Sequence, residues 1–301
     1  MKLVGVDVGG SAIKLGVVEE SGRVVQEDSV SVAAVRAAEP LFATLAGAVR
    51  RIAGADLPRG VGIGLPAMLD ASRDLVRLSP NLPWLNGVRV RERLAAALAL
   101  PPALVRVEND ANVAALGEQW LGSARDEPDV LFLTLGTGIG SGLVLGGRLI
   151  VGKGLASEAG HLCIDPEGPP CGCGSRGCIE SFASARAVGR RASEAGLPPG
   201  DPGNLELLAA RAREADGPER ALLLQVGREL GHALAAVVVL LDLHTFVFGG
   251  GFAAALDTME PGIRRGVGEW ARAVRVSDLS IRRAALGPSA GWIGAARLTL
   301  P

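Results

Sequence analysis

Asp7-Val8-Gly9-Gly10-Ser11-Ala12-Ile13-Lys14 runs straight into Leu15-Gly16-Val17-Val18. Later in the chain, 127 residues on, Thr134-Leu135-Gly136-Thr137-Gly138-Ile139-Gly140 runs into Ser141-Gly142-Leu143-Val144-Leu145. Each stretch is an apolar, β-branched run, a glycine turn and a second apolar run, which reads as strand, turn, strand. An echo at this distance suggests two similar halves enclosing one ligand. The blander alternative is two ordinary glycine hairpins. The loops carry more than turn chemistry, however. Glycines bring bare N–H groups close to phosphate oxygens, and an acidic residue beside them can hold Mg²⁺ through water. Gly249-Gly250-Gly251, after the apolar stretch 244–248, is a third such loop, on which a flat adenine ring or ribose can rest.

Between these landmarks the periodicity predicts strands near 2–8, 12–18, 23–30, 61–65, 103–107, 130–135, 141–145 and 244–248, with 149–151 strand-like. Helices are expected from Pro40 to Gly54 and over 90–100, 110–121, 184–195, 205–214, 219–241 and 289–298. With 301 residues, two domains are expected. A boundary near Glu108 gives a small domain, 1–108, and a large one, 109–287. The terminal helix, about 288–301, is expected to return to the small domain.

Composition narrows the classes. Hydrophobic residues make up 48% and charged residues 21%, enough for a packed core. The net charge of −1 lacks the footprint of a nucleic-acid binder. Asp7 interrupts the first apolar run too early for a signal peptide, and the longest uncharged apolar stretch, Ala233 to Leu241, has nine residues against ~20 for a membrane span. An intracellular, reduced setting follows as the expectation. Gly (42) and Pro (18) are abundant, which points to tight turns and close backbone approaches.

All four cysteines, Cys163, Cys171, Cys173 and Cys178, fall within 16 residues. In a long chain without a leader that clustering points to metal rather than to disulfides. His161 with Cys171, Cys173 and Cys178 makes a closed tetrahedral zinc set, and Gly172 and Gly174 permit the close Cys171/Cys173 pair. Cys163 is the odd one out. Two formal motif matches are rejected. Gly172-x-Gly174-x-x-Gly177 has no preceding strand, and the P-loop-like 147–153 continues into Gly154 where Ser or Thr should hold Mg²⁺. Glu108-Asn109-Asp110-Ala111-Asn112 stands at a strand-to-helix junction. One of these residues can cap the helix, while a carboxylate in such a crevice can accept a proton from a substrate hydroxyl.

Taken with GIGLPAMLD at 62–70, SPNLPWLNGV at 79–88, SEAGH at 157–161 and CGCGSRGCIES at 171–181, these segments resemble the ROK family from end to end. That family groups sugar kinases with related repressors, and the likeness is greatest to its bacterial glucokinases. The resemblance implies an α/β, two-domain, actin-like ATPase (ribonuclease H-like) fold with a central cleft and a zinc-binding loop. It implies direct transfer of the ATP γ-phosphate to the 6-hydroxyl of a hexose, glucose first. N-acetylmannosamine, N-acetylglucosamine, fructose and allose are the alternative acceptors, and polyphosphate is an alternative donor. Asp110 matches the general base. Asn109, Glu158, His161 and Glu180 match sugar-binding residues, with Asn86, or Asn81, completing the pocket. Gly9, Gly10, Ser11, Lys14, Thr137, Gly138, Gly250 and Gly251 match the nucleotide loops, with Asp7 near Mg²⁺. The zinc is then structural, and a cytoplasmic homodimer is expected. Ser11 replaces the family's usual Thr, Ala67 its usual Gly beside the sugar, and Cys163 is extra. The repressor branch carries a helix-turn-helix before the first loop, for which six residues ahead of Asp7 leave no room.

Overall fold

The computed structural model describes residues 2–32, 34–54, 58, 60–197 and 205–300. The quoted opening forms β1 (Lys2–Val8) and β2 (Ala12–Glu19), an antiparallel pair in which Asp7 faces Lys14, and β3 (Val24–Ser31) continues the meander. α1 (Ala38–Ala53) ends at Gly54, whose φ of 72° suits a glycine. β4 (Val61–Leu65), the short pair β5 (Met68–Leu69) and β6 (Val76–Leu78), α2 (Val90–Leu98), β7 (Val105–Asn109) and α3 (Asp110–Leu121) follow. The first sheet has the order β3-β2-β1-β4-β7, with β1, β4 and β7 parallel.

The second echo forms β8 (Val130–Leu135) and β9 (Ile139–Leu145), extended by β10 (Arg148–Leu149), which is shorter than the expected 149–151 strand. The helix expected over 184–195 is α5 (Ala185–Glu194), and a short α4 (Glu180–Ala183) precedes it; the two are separate because Ser184 adopts extended backbone and caps α5 through Ala187 N. α6 (Glu206–Glu214), α7 (Pro218–Leu241), β11 (Thr245–Gly249), α8 (Leu256–Trp270), β12 (Ser280–Arg283) and α9 (Ala290–Arg297) complete the chain. α8 and β12 were not anticipated from the sequence. The second sheet runs β10-β9-β8-β11-β12, with β8, β11 and β12 parallel. Both sheets therefore have the strand order 3-2-1-4-5, so the two glycine hairpins begin two copies of one topology.

Contacts divide the chain into two compact units. The first comprises Met1–Pro128, Gly142–Ser157 and Ala285–Pro301, and the second comprises Asp129–Ser141 and Glu158–Ala284. In the first unit, α1 and α2 bury Leu41, Leu45, Val49 and Leu94 against one face of the sheet. α9 covers the other face, where Trp292, Ile293 and Ala296 pack with Leu3 and Val18. This approach is very close: a Cβ on Gly5 or Gly62 would collide with the backbone of α9. Glu118, fully buried on α3, accepts hydrogen bonds from the N–H groups of Ser123 (2.9 Å), Ala285 (3.0 Å) and Leu286 (2.8 Å), which fixes the segment leading into α9.

In the second unit α7 and α8 lie side by side. Gly227 and Gly231 on α7, and Gly262 and Gly266 on α8, are each so close to the opposite helix that a Cβ would meet its backbone. α7 is long and apolar enough to cross a bilayer by length and composition, but it is mostly buried within the protein, as befits a core helix. His232 stacks on Trp270 at 4.2 Å and bonds Glu269 at 2.9 Å, and His244 bonds Asp242.

Candidate functional site

In the first unit the carboxyl ends of parallel β1, β4 and β7 gather the candidate groups. Asp7 ends β1, and Asp110 opens α3 directly after β7. A Cβ on Gly64, at the end of β4 between them, would lie 3.5 Å from Asp7 Oδ1 and 3.7 Å from Asp110 Cα, so the two acids are neighbours. Burial, reinforced by the charge of Asp110 and opposed by Lys14, pushes the Asp7 carboxyl up to about 7. Such a crowded acid is relieved by a cation, and the chemistry of this donor set fits Mg²⁺. The Gly9-Gly10-Ser11 turn is closed by Gly9 N donating to Ala12 O at 2.9 Å, with open space above Gly10. Lys14, Ser289 and Trp292 line a hollow of about 500 Å³ beside β2 and β3.

The polar run 108–112 separates into two kinds of residue. Asn109 caps α3, accepting from Ala111 N at 2.9 Å and Asn112 N at 3.2 Å, while its amide donates to Ala67 O at 3.4 Å. Glu108 is buried, accepts from Asn112 Nδ2 at 2.9 Å and pairs with Arg73 at 3.1 Å. Arg73 was not singled out in the sequence; the available signal is that a carboxylate in a strand-end core needs a partner. Asn86 Oδ1 accepts from Ser79 N at 2.8 Å, and Ser79 Oγ donates to Pro66 O at 2.7 Å, which ties the 79–86 loop to the Pro66-Ala67 loop. Asn81 and Asn86 are both exposed.

In the second unit the Thr137-Gly138 loop is held by Gly136 N donating to Gly138 O and by Ile139 N donating to Glu180 Oε2 at 2.8 Å. A short 3₁₀ turn, Ala159–His161, follows Glu158, so that Glu158 and His161 lie one turn apart. Burial raises the Glu158 carboxyl; His161 opposes this and Glu180 adds to it, so the three groups share one neighbourhood. Gly250 adopts a φ of 82° at the end of β11 and lies against Leu135 O, where no side chain fits, and Gly251 begins the next turn.

One ligand atom from each of His161, Cys171, Cys173 and Cys178 lies within 4.8 Å of all the others. Cys171 Sγ is 3.7 Å from His161 Nδ1, and Cys173 Sγ is 3.7 Å from Cys178 Sγ. Zn–S bonds of ~2.3 Å at tetrahedral angles place sulfurs about 3.8 Å apart, so the set fits zinc. Cys163 is outside it. Without a cation, burial, aided by the adjacent Cys173 and Cys171, pushes the Cys178 thiol up to about 12.

A family model described as ROK family matches residues 3–301. The chain belongs to the ROK family. It is 32% identical over 312 residues to a glucokinase of Thermotoga maritima, covering 99% of this chain and 97% of that protein. Among solved structures it is similar to a ROK hexokinase from Thermus thermophilus, with 36% identity, TM-score 0.85 and coverage of 99% and 97% of the two chains. A ROK family glucokinase from Streptomyces griseus in complex with glucose and AMPPNP gives 34% identity, TM-score 0.78 and coverage of 99% of each chain. With the doubled strand order, these likenesses assign the actin-like, ribonuclease H-like α/β fold.

Proposed function

We propose that this chain is an ATP-dependent hexose kinase that phosphorylates glucose at its 6-hydroxyl. The observation that carries this reading is the full-length similarity to glucokinases above 30% identity, including one solved with glucose and AMPPNP. Asp110, at the N-terminus of α3, takes the proton of the attacking hydroxyl and aligns it with the γ-phosphate. Asn109, Glu158, His161 and Glu180, with Asn86 in preference to Asn81, bind the sugar hydroxyls. Gly9, Gly10, Ser11, Lys14, Thr137, Gly138, Gly250 and Gly251 bind the nucleotide. Most of the acceleration then comes from positioning and from charge neutralisation.

Asp7 would hold Mg²⁺, which supplies neutralisation of phosphate charge when bound. His161, Cys171, Cys173 and Cys178 would hold a structural zinc, which cross-links the loop. With Nδ1 directed to the metal set, His161 keeps its other ring nitrogen for sugar, and its orientation is fixed. The working protomer has two actin-like domains and acts in a cytoplasmic homodimer.

A coupled assay of ATP consumption over glucose, mannose, fructose, allose, N-acetylglucosamine and N-acetylmannosamine tests the reading. Glucose is expected to give the highest kcat/KM. An acetamido sugar in first place would move the assignment to an N-acetylhexosamine kinase, and no ATP consumption with any sugar would reject the kinase.

A further inference from the structure

Cys163 has a position that the metal site leaves unexplained. It forms an isolated antiparallel bridge with Cys178. The flanking hydrogen bonds are Ile164 N to Gly177 O and Ile179 N to Leu162 O, both 2.9 Å. That pattern makes Cys163 and Cys178 a directly opposed, non-hydrogen-bonded pair, in which Cα atoms approach to about 4.5 Å and both side chains leave the same face. Disulfides need Cα separations of roughly 4.4–6.8 Å, so the backbone already permits the bond. Cys163 is exposed and is the one cysteine of the four outside the His161/Cys171/Cys173/Cys178 set.

We propose that Cys163 and Cys178 are an oxidation site, at which peroxide drives a disulfide that withdraws Cys178 from the metal set. The exposed Cys163 thiolate attacks hydrogen peroxide; the O–O bond breaks, Cys163 becomes a sulfenic acid and hydroxide leaves. The Cys178 sulfur then attacks the Cys163 sulfur. The S–S bond forms, the S–OH bond breaks and a second hydroxide leaves. Two thiolates have lost two electrons and one peroxide has gained them. The remaining ligands, His161, Cys171 and Cys173, cannot close a four-coordinate site. Glu180, two residues beyond Cys178, is the acceptor for Ile139 N, so the Thr137-Gly138 loop is disturbed as well. Metal release rests on the zinc reading above; the disulfide itself does not.

The test treats the purified full-length protein with hydrogen peroxide, blocks free thiols, maps cross-links by peptide mass spectrometry and follows zinc with a zinc-responsive dye. A Cys163–Cys178 cross-link that disappears on adding dithiothreitol is expected. Cys163→Ser and Cys163→Ala, both at an exposed site, should retain zinc about tenfold longer at the same dose, because the attacking thiol is gone. A cross-link joining Cys173 to Cys171 or Cys178 would overturn the proposal, as would Cys163 passing to sulfinic acid uncoupled. Unchanged zinc release in both variants would also overturn it. Protein purified without zinc would remove the zinc reading alone, since the cross-link map still decides the pair.

Discussion

Asp7→Asn should stabilise the fold at the pH where it disables the enzyme. The carboxyl is buried and crowded by Asp110, and its value rises from the ordinary 3.8 to about 7. Below pH 4 both folded and unfolded chains hold the proton, and the protein has its full stability. Between pH 4 and 7 the folded chain keeps a proton that the unfolded chain has lost, so stability falls as pH rises. Above 7 the loss is complete and the curve levels. At about 1.4 kcal/mol for each pH unit between the two values, the total is of the order of 4 kcal/mol. Asn has the same shape and no charge, so its curve lacks this fall. Urea unfolding of both proteins in EDTA, from pH 5 to 8.5, measures the difference. The variant should gain on the wild type steadily up to pH 7 and hold a lead of a few kcal/mol at pH 8, with turnover lost. Mg²⁺ should narrow that lead by stabilising the wild type alone. Parallel curves, or a variant less stable at pH 8, would refute the argument that burial and Asp110 together strain this carboxylate.

Three further outcomes are expected. Asp110→Asn should lower kcat by at least ~10² while sugar affinity, measured calorimetrically, stays within a few-fold; near-normal turnover would remove Asp110 as the base. Metal analysis should find about one zinc per chain, and Cys171→Ala should lose both the zinc and sugar binding; fresh wild-type protein free of zinc would defeat the site. Gly231→Ala should destabilise by about 1–3 kcal/mol, because its Cβ meets the α8 backbone at Ile263 and Gly266. Gly47→Ala, on α1 with nothing near its Cβ, should instead stabilise by about 0.5–1 kcal/mol, and thermal melts that rank the two alike would contradict the packing argument.

Where periodicity met a clean boundary, the chain was readable. β1, β4, β8 and α3 are strand and helix over the expected residues, because an apolar run of the right period stops at glycine, at Pro66 or at a polar cap. The gathering of His161, Cys171, Cys173 and Cys178 was equally legible, since spacing alone confines three thiols and an imidazole to one loop. The run 108–112 was harder. Four polar residues in five suggested a site, but all four have structural partners: Asn109 caps α3, Glu108 bonds Asn112 and Arg73, and Asp110 accepts from Ala111 N at 2.9 Å. The cap at the head of α3 was expected, whereas Arg73, the partner of Glu108, comes from far along the chain and is not visible in a linear pattern. Asp110 lies beside Asp7, a proximity that the linear pattern does not show.

The glycines required the largest revision. Their excess pointed to tight turns and close backbone approaches, and Gly54, Gly174 and Gly250 do adopt positive φ in such turns. Many others stand inside elements, at contacts where only a hydrogen atom fits. Gly5 and Gly62 let α9 settle onto β1 and β4; Gly117 and Gly294 do the same between α3 and α9. The same cause hid α8. Pro261, Gly262, Gly266 and Gly268 read locally as helix breakers, each costing helix propensity. Yet Gly262 and Gly266 face α7, where Gly227 and Gly231 face them, and the close approach of two backbones offsets the propensity lost. Local sequence reports the cost at each glycine, while the compensation lies on a helix about 35 residues away. A glycine-rich segment can therefore be a loop or a tightly packed helix, and the deciding signal is a matching row of small residues elsewhere in the chain. Here Gly227 and Gly231, four apart on one face of α7, answer Gly262 and Gly266, four apart on α8.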